Sequence, residues 1–387
     1  MKPGIELVGA IDWDRRLFDE LIPLPDGTSY NAYLIHGSEK TALIDTVDPA
    51  KSETLFRQLD AITQLDVVVI QHVEQDHSGT LAAILERYPD AEVLSSVKAK
   101  PMIADHLGVS EERITVVEDR TAYSLGDRTL EFIYAPWVHW PETMLTYLRE
   151  DKVLFTCDLF GSHLATDEVF AKDRARVYEA AKRYYGEIMM PFANLIRKHL
   201  EMLSGIEIEM IGPSHGPAHD DPRFILDAYN HWVNDPRKNL VLVPYTSMHH
   251  STAEMVDHFV SALVKRDVHV MPFNMTATDL GEYVVHLVDA STVVFATPTV
   301  LVGPHPNVVF AAYLTAALRP QLRYAGVIGS YGWGSKAVEQ IQGLCSSLKV
   351  EWFDPVLTKG VAGEETFRDL DALADRIAER HRGLESP

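Results

Sequence analysis

The chain has 387 residues, 46% of them apolar and 24% charged, with a formal net charge of −21. That length suits two domains, the apolar share supports buried cores rather than disorder, and the negative charge argues against nucleic acid as a partner. Two cysteines, Cys157 and Cys345 in different halves, exclude a cysteine-ligated zinc ribbon or iron–sulfur cluster within the chain, and no apolar run approaches the roughly 18 residues of a membrane span.

The first residues, Met1 to Ile5, lack the apolar core of a secretory signal. The protein is therefore expected to be soluble and cytoplasmic, with no membrane partner. Residues 1–230 read as short strands broken by turns, followed by a long helix. Strands are predicted over 30–36, 41–45, 66–71, 92–95, 130–135, 144–148, 153–157 and 206–211. Helices are predicted over 78–87 and about 171–203, with a break near Pro191. Strands first paired by turns, with helices outside, indicate an αββα sandwich.

The polar segment from Asn234 to Asn239, which contains Pro236, is the predicted linker, so the domains are expected at 1–237 and 238–387. Beyond it the pattern alternates strictly. Strands over 240–244, 269–273, 292–297, 324–329 and 350–353 are each followed by a helix, over 252–265, 279–288, 307–318, 335–348 and 365–382. Such alternation fits a doubly wound parallel sheet of the flavodoxin kind.

The chemistry concentrates at strand ends. The apolar run 66–71 leads directly into His72, Glu74, Asp76 and His77, and a helix follows. Four ligand-type side chains in six residues, on a loop leaving a buried strand, can fill much of a metal's coordination sphere. His139, Asp158 and His215 close three other apolar runs before turn signals, so all seven can converge on one edge of the sandwich. Imidazoles mixed with carboxylates suit iron or manganese better than copper or magnesium. Seven candidates exceed the needs of one tetrahedral zinc but suit two metals sharing a carboxylate. The histidines at 163, 199, 219 and 231 read as surface or core residues.

In the second half, the first strand-to-helix turn contains Thr246, Ser247, Met248, His249, His250, Ser251 and Thr252. Its hydroxyls and the amides of a helix N-terminus form a phosphate site, although an ordinary helix cap also explains Ser251 or Thr252. Two further strand-end loops, Pro298-Thr299-Val300-Leu301-Val302 and Ser330-Tyr331-Gly332-Trp333-Gly334, are placed to close over a ring. Glycine allows close approach, and Tyr331 or Trp333 can cover a flat face; the alternative for Trp333 is a core position.

The H-x-E-x-D-H loop resembles the metallo-β-lactamase fold, with Glu74 in place of the second histidine of its hydrolases. That substitution resembles the flavodiiron proteins, or A-type flavoproteins. The segments 28–34, 135–144, 155–161 and 211–217 agree in order and spacing, as do the flavin loops. The resemblance implies that His72, Glu74 and His139 hold one iron, that Asp76, His77 and His215 hold the other, and that Asp158 bridges them. It also implies FMN in the second domain, with Leu301 and Val302 standing where many members have Asn-Asn. The implied activity is an oxidoreductase passing electrons from FMN to the di-iron site, which reduces O2 to water or NO to N2O. The implied donor is rubredoxin or reduced coenzyme F420, and the implied assembly is a head-to-tail homodimer or a dimer of dimers. Tyr185 is the candidate proton source. Two rival readings are a zinc hydrolase with a flavodoxin appendage and a pure electron-transfer flavoprotein.

Overall fold

A computed structural model describes residues 1–387. Its contacts divide the chain into two compact units, one of residues 1–185 and 192–233, the other of residues 186–191 and 234–387. No helix is long and apolar enough to cross a membrane.

The first unit contains two sheets. One has the order Ile5–Asp12, Thr28–His36, Thr41–Ile44, Val67–Ile70, Glu92–Ser95 and Ile114–Val116. The other runs Met210–Pro213, Val153–Cys157, Met144–Leu148, Thr129–Tyr134 and Ala122–Ser124. Strand Val67–Ile70 shows why the layers form. Val67 and Val69 join a core shared with Phe132, Met144 and Phe155 of the other sheet. Val68 and Ile70 pack with Leu55, Ile84 and Ile103 of the outer helices. A strand buried on both faces reads as an unbroken apolar run because its side chains alternate between two apolar layers. The outer helices are amphipathic; Leu81–Arg87, for example, buries Leu81, Ile84 and Leu85.

Several elements differ from the sequence expectation. Strand Ile5–Asp12 pairs with Thr28–His36 along its whole length, yet Gly9 in its middle hides the strand pattern. A Cβ at Gly9 would lie 2.2 Å from the Tyr30 carbonyl oxygen, so this close approach requires glycine. The helix predicted over 78–87 starts at Leu81, and a separate helical turn, Gln75–Ser78, carries Asp76 and His77. The strand expected over 206–211 is Met210–Pro213. The long helix is Arg174–Tyr184, then a π-turn at Tyr185–Met189, then Ala193–Leu203. Pro191 has no N–H to offer the carbonyl four residues earlier, and the backbone bonding widens just before it.

The second unit is a parallel sheet in the order His269–Asn274, Lys238–Tyr245, Ala290–Val300 and Tyr324–Tyr331, flanked by Glu351–Trp352 and Val356–Lys359. Numbered along the chain this order is 2-1-3-4-5, the flavodoxin-like winding, which leaves a crevice at the carboxyl ends of the strands beside the first. Helices Ser251–Val264 and Glu364–Arg380 bury Phe259, Leu263, Leu370 and Ile377 against one face.

Candidate metal centre and flavin cavity

The loop after Val67–Ile70 is held from behind. Asp45, with φ of 56°, accepts the Gln71 backbone N–H and its side-chain amide, both at 2.8 Å. Ser78 donates to the carbonyls of Val73 and Glu74 at 2.6 and 2.9 Å. His139 sits on a tight loop in which the Trp137 N–H donates to the Trp140 carbonyl at 2.7 Å and Trp137 is left-handed. Asp158 follows Cys157, another left-handed residue. His215 follows Ser214, whose N–H donates to the Cys157 carbonyl at 2.8 Å.

All seven predicted side chains come together. Asp158 Oδ2 lies 3.1 Å from His139 Nε2 and 3.4 Å from His72 Nε2. Its Oδ1 lies 3.0 Å from His77 Nε2 and 3.3 Å from His215 Nε2. Glu74 Oε2 stands 3.1 and 3.2 Å from the first pair of imidazoles. Asp76 stands 3.4 and 3.2 Å from the second pair. Each half therefore has two imidazoles, one carboxylate of its own and one oxygen of a shared, fully buried carboxylate.

The donor set fits two iron ions. His77 Nε2 and both Asp76 oxygens are buried without a hydrogen-bond partner, although they lie within ion-pair distance of other groups. The distances are met but the N–H and lone-pair directions are not, which is the arrangement of ligands aimed at cations between them. Three carboxylates offset most of the charge of two divalent ions, and the mixed N/O set suits iron. The far ring nitrogens point outward: His72 Nδ1 to Glu142 Oε1 and His215 Nδ1 to the Ser29 carbonyl, each at 2.7 Å. Donation there leaves the lone pair on Nε2.

Without metal, burial pushes these histidines down, but neighbouring carboxylates outweigh it. Asp158 and Glu74 lift His139 to about 9, and Asp158 and Asp76 lift His215 to about 10. Burial likewise raises Asp158, yet His77, His139 and His215 hold it well below the usual carboxylate range.

Tyr185 lies away from the ligands, and Tyr184, Glu142 and Asp45 join the site without a sequence signal. Tyr185 packs its ring on Tyr229 and Trp232, each at 5.4 Å. It is Tyr184 whose hydroxyl donates to Asp158 Oδ1, at 2.8 Å, because consecutive residues of a helix point about 100° apart. His163 is buried, one of the two settings the sequence allowed; its ring lies 4.9 Å from that of His215, and its Nδ1 is 2.9 Å from Thr28 Oγ1. Glu142 and Asp45 carry no ligand pattern, although Glu142 falls within the segment 135–144. Changing Glu142 to Gln removes the anion behind His72, and iron affinity should fall about 10–100-fold. Competition with a chelator measures it; an unchanged affinity would contradict the outward bond.

In the second unit a cavity of about 440 Å³ is lined by Ser247, Met248, His249, Ser251, Thr252, Pro298, Thr299, Ser330, Tyr331, Gly332 and Trp333, together with Gly360 and Val361. These last two, after the final strand, have no sequence signal. Thr252 Oγ1 lies 3.2 Å from Ser330 Oγ, joining two of the loops at the N-terminus of a 14-residue helix. That terminus offers backbone N–H groups and hydroxyls to a phosphate without a basic side chain. Trp333 is 87% exposed, which removes the core alternative. Thr246 is buried, and Val300, Leu301, Val302, His250 and Gly334 do not line the cavity. Val300 pairs with Gly303, so Leu301 and Val302 form a two-residue turn projecting from the sheet, both at positive φ.

Comparison with known proteins agrees with this geometry. Residues 28–216 match the family described as "ODP family beta lactamase". The chain is 36% identical to a nitric oxide reductase of Moorella thermoacetica, over 90% of this chain and 89% of that one. It is 32% identical to a coenzyme F420H2 oxidase of Methanocaldococcus jannaschii, over 87% and 86%. Among solved structures, rubredoxin oxygen:oxidoreductase of Desulfovibrio gigas superimposes with a TM-score of 0.94 at 29% identity, covering 98% and 97% of the two chains. The flavodiiron protein of Giardia intestinalis does so with 0.90 at 28% identity, covering 100% and 98%.

Proposed function

The chain belongs to the flavodiiron protein family, and from that membership we propose that it is an oxidoreductase passing electrons from FMN to a non-haem di-iron centre that reduces O2 to water or NO to N2O. His72, Glu74 and His139 would hold one iron and Asp76, His77 and His215 the other, with one Asp158 oxygen facing each set. The observation that carries this reading is the division of the Asp158 oxygens, each facing a different pair of imidazoles. FMN would be held in the cavity lined by Thr252, Thr299 and Trp333. When bound, FMN converts a two-electron donation into single-electron steps, and the iron pair binds and polarises the diatomic.

The chain's own groups do the rest. Glu142 and Ser29 fix the ring tautomers of His72 and His215. The Tyr184 hydroxyl holds a proton at Asp158 Oδ1. Trp140, 5.0 Å edge-on to His72, and Phe18, beside His163 and His215, keep apolar surface against the ligand rings and exclude water from them. Exposed Trp333 and Leu301 at the flavin end need cover, which a head-to-tail homodimer supplies while bringing the flavin of one chain to the irons of the other. Rubredoxin and reduced coenzyme F420 are the proposed donors.

The test is anaerobic reduction with each donor, followed by stopped-flow mixing with O2 and with NO. The expected result is flavin reoxidation by at least one gas, with N2O or water as product and iron as the metal. A protein that holds zinc and reoxidises no faster than free FMN would exclude the reading.

A further inference from the structure

One dipeptide grips the metal-binding loop at both ends. Asp45 and Thr46 follow strand Thr41–Ile44, the parallel neighbour of the strand Val67–Ile70 from which the loop departs. At the near end Asp45 accepts the backbone N–H and the side-chain amide of Gln71, the residue before His72. At the far end Thr46 donates twice to one atom: its N–H and its Oγ1–H meet the His77 carbonyl at 2.6 and 2.8 Å. Thr46 is fully buried. The grip extends one residue further, where Thr80 Oγ1 donates to the Val47 carbonyl at 2.8 Å.

His77 depends on this contact in a way that His72 and His215 do not. It sits on a single helical turn, Gln75–Ser78. A turn that short is not stable by itself, and the carbonyls at its end find no partner within it. His72 and His215 are anchored through their far ring nitrogens, by Glu142 and by the Ser29 carbonyl. His77 has no bond of that kind. Outside the ligand set its hydrogen bonds run through its backbone, from its N–H to the Glu74 carbonyl at 3.0 Å and from Thr46 to its own carbonyl. Its Nε2 is buried without a hydrogen-bond partner. The ring therefore goes where the backbone puts it.

Resting on the flavodiiron reading, we propose that the Thr46 hydroxyl is the positioning group that keeps His77 a ligand of the second iron, the one that Asp76, His77 and His215 would hold. Thr46 does not touch the metal. Two donors on one carbonyl fix the height and the rotation of the helical turn. Through the His77 backbone they place Nε2 at 3.0 Å from Asp158 Oδ1 and 3.4 Å from Asp76 Oδ1. A ligand bond tolerates a displacement of only about 0.2 Å, so a small shift of the turn loosens His77. His72 and His139 of the first iron's set lie outside the turn, and the two irons should respond differently.

The experiment titrates metal-stripped full chains with ferrous iron without oxygen and reads each iron by Mössbauer spectroscopy. Wild type, Thr46→Val and Thr46→Ser are compared, each with and without His77→Ala. Thr46→Val keeps the shape and drops the hydroxyl. Its second iron should bind about two- to tenfold more weakly, the scale of one hydrogen bond, with a changed quadrupole splitting. The affinity and the doublet of the first iron should stay as in wild type, and Thr46→Ser should restore the second. Once His77 is replaced by alanine the Val change should have no further effect, because the two residues act as one unit. Thermal melts show that each chain is folded, and Thr46→Ala repeats the test if the Val chain does not fold. A Val variant whose second iron binds as in wild type, one that weakens both irons alike, a Ser variant no better than Val, or an undiminished Val effect without His77 overturns the proposal. A wild type that binds fewer than two irons removes the underlying reading, and this inference with it.

Discussion

Replacing Asp158 with alanine should lower gas reduction by about 10²–10³-fold or more, the scale of removing a preorganised electrostatic group from a water-free site, while FMN stays bound. Asp158 is fully buried, and its two oxygens stand within 3.0–3.4 Å of four imidazole nitrogens. An alanine leaves those nitrogens around a methyl group, with Glu74 and Asp76 no longer joined through a shared anion. The Tyr184 hydroxyl also loses its acceptor. The flavin cavity lies in the other unit, so its occupancy should not respond. Asp158→Asn keeps the volume but not the charge, and should fall between the two. Metal analysis, flavin absorbance and N2O or O2 assays on one preparation decide the matter. Unchanged turnover in the alanine variant would sink the assignment of the bridging role.

Iron affinity of the stripped protein should rise steeply with pH between about 6.5 and 9. His139 and His215, lifted to about 9 and 10 in the metal-free site, each hold a proton that iron must displace. Each displaced proton makes affinity climb about tenfold per pH unit, so two give up to about 100-fold. Stability of the metal-free protein runs the other way. A histidine whose pKa is raised on folding contributes stability that is complete below its unfolded value of 6.5 and disappears as pH rises through its folded value. The melting temperature of stripped protein should therefore fall from near neutral pH towards pH 10, whereas loaded protein should retain its metal better across the same range. Chelator competition and thermal melts of both forms measure this. A flat affinity profile would mean that these histidines do not compete with iron for protons.

Much of this architecture was readable because its signals are local. An apolar run ending in His72, Glu74, Asp76 and His77 needs only the strand period and the ligand chemistry of four neighbouring side chains. The alternation after residue 238 likewise announces a parallel sheet, since each strand and each helix carries its own periodicity. Glu74 separates the loop from the hydrolase pattern it otherwise resembles.

What the tertiary structure decided are relations between distant residues and between adjacent ones on a helix. Whether Tyr184 or Tyr185 meets Asp158 depends on the rotation of Arg174–Tyr184 about its axis, which packing sets and which two consecutive tyrosines do not disclose. Glu142 behind His72, 70 residues away, has no spacing that marks it. The hairpin turn at Leu301 and Val302 carries neither glycine nor asparagine, so its positive φ values run against local preference and are imposed by the pairing of Val300 with Gly303. Periodicity and ligand chemistry belong to the sequence by itself; helix rotation, hydrogen-bond partners across the fold and backbone held against its preference exist only once the layers have packed.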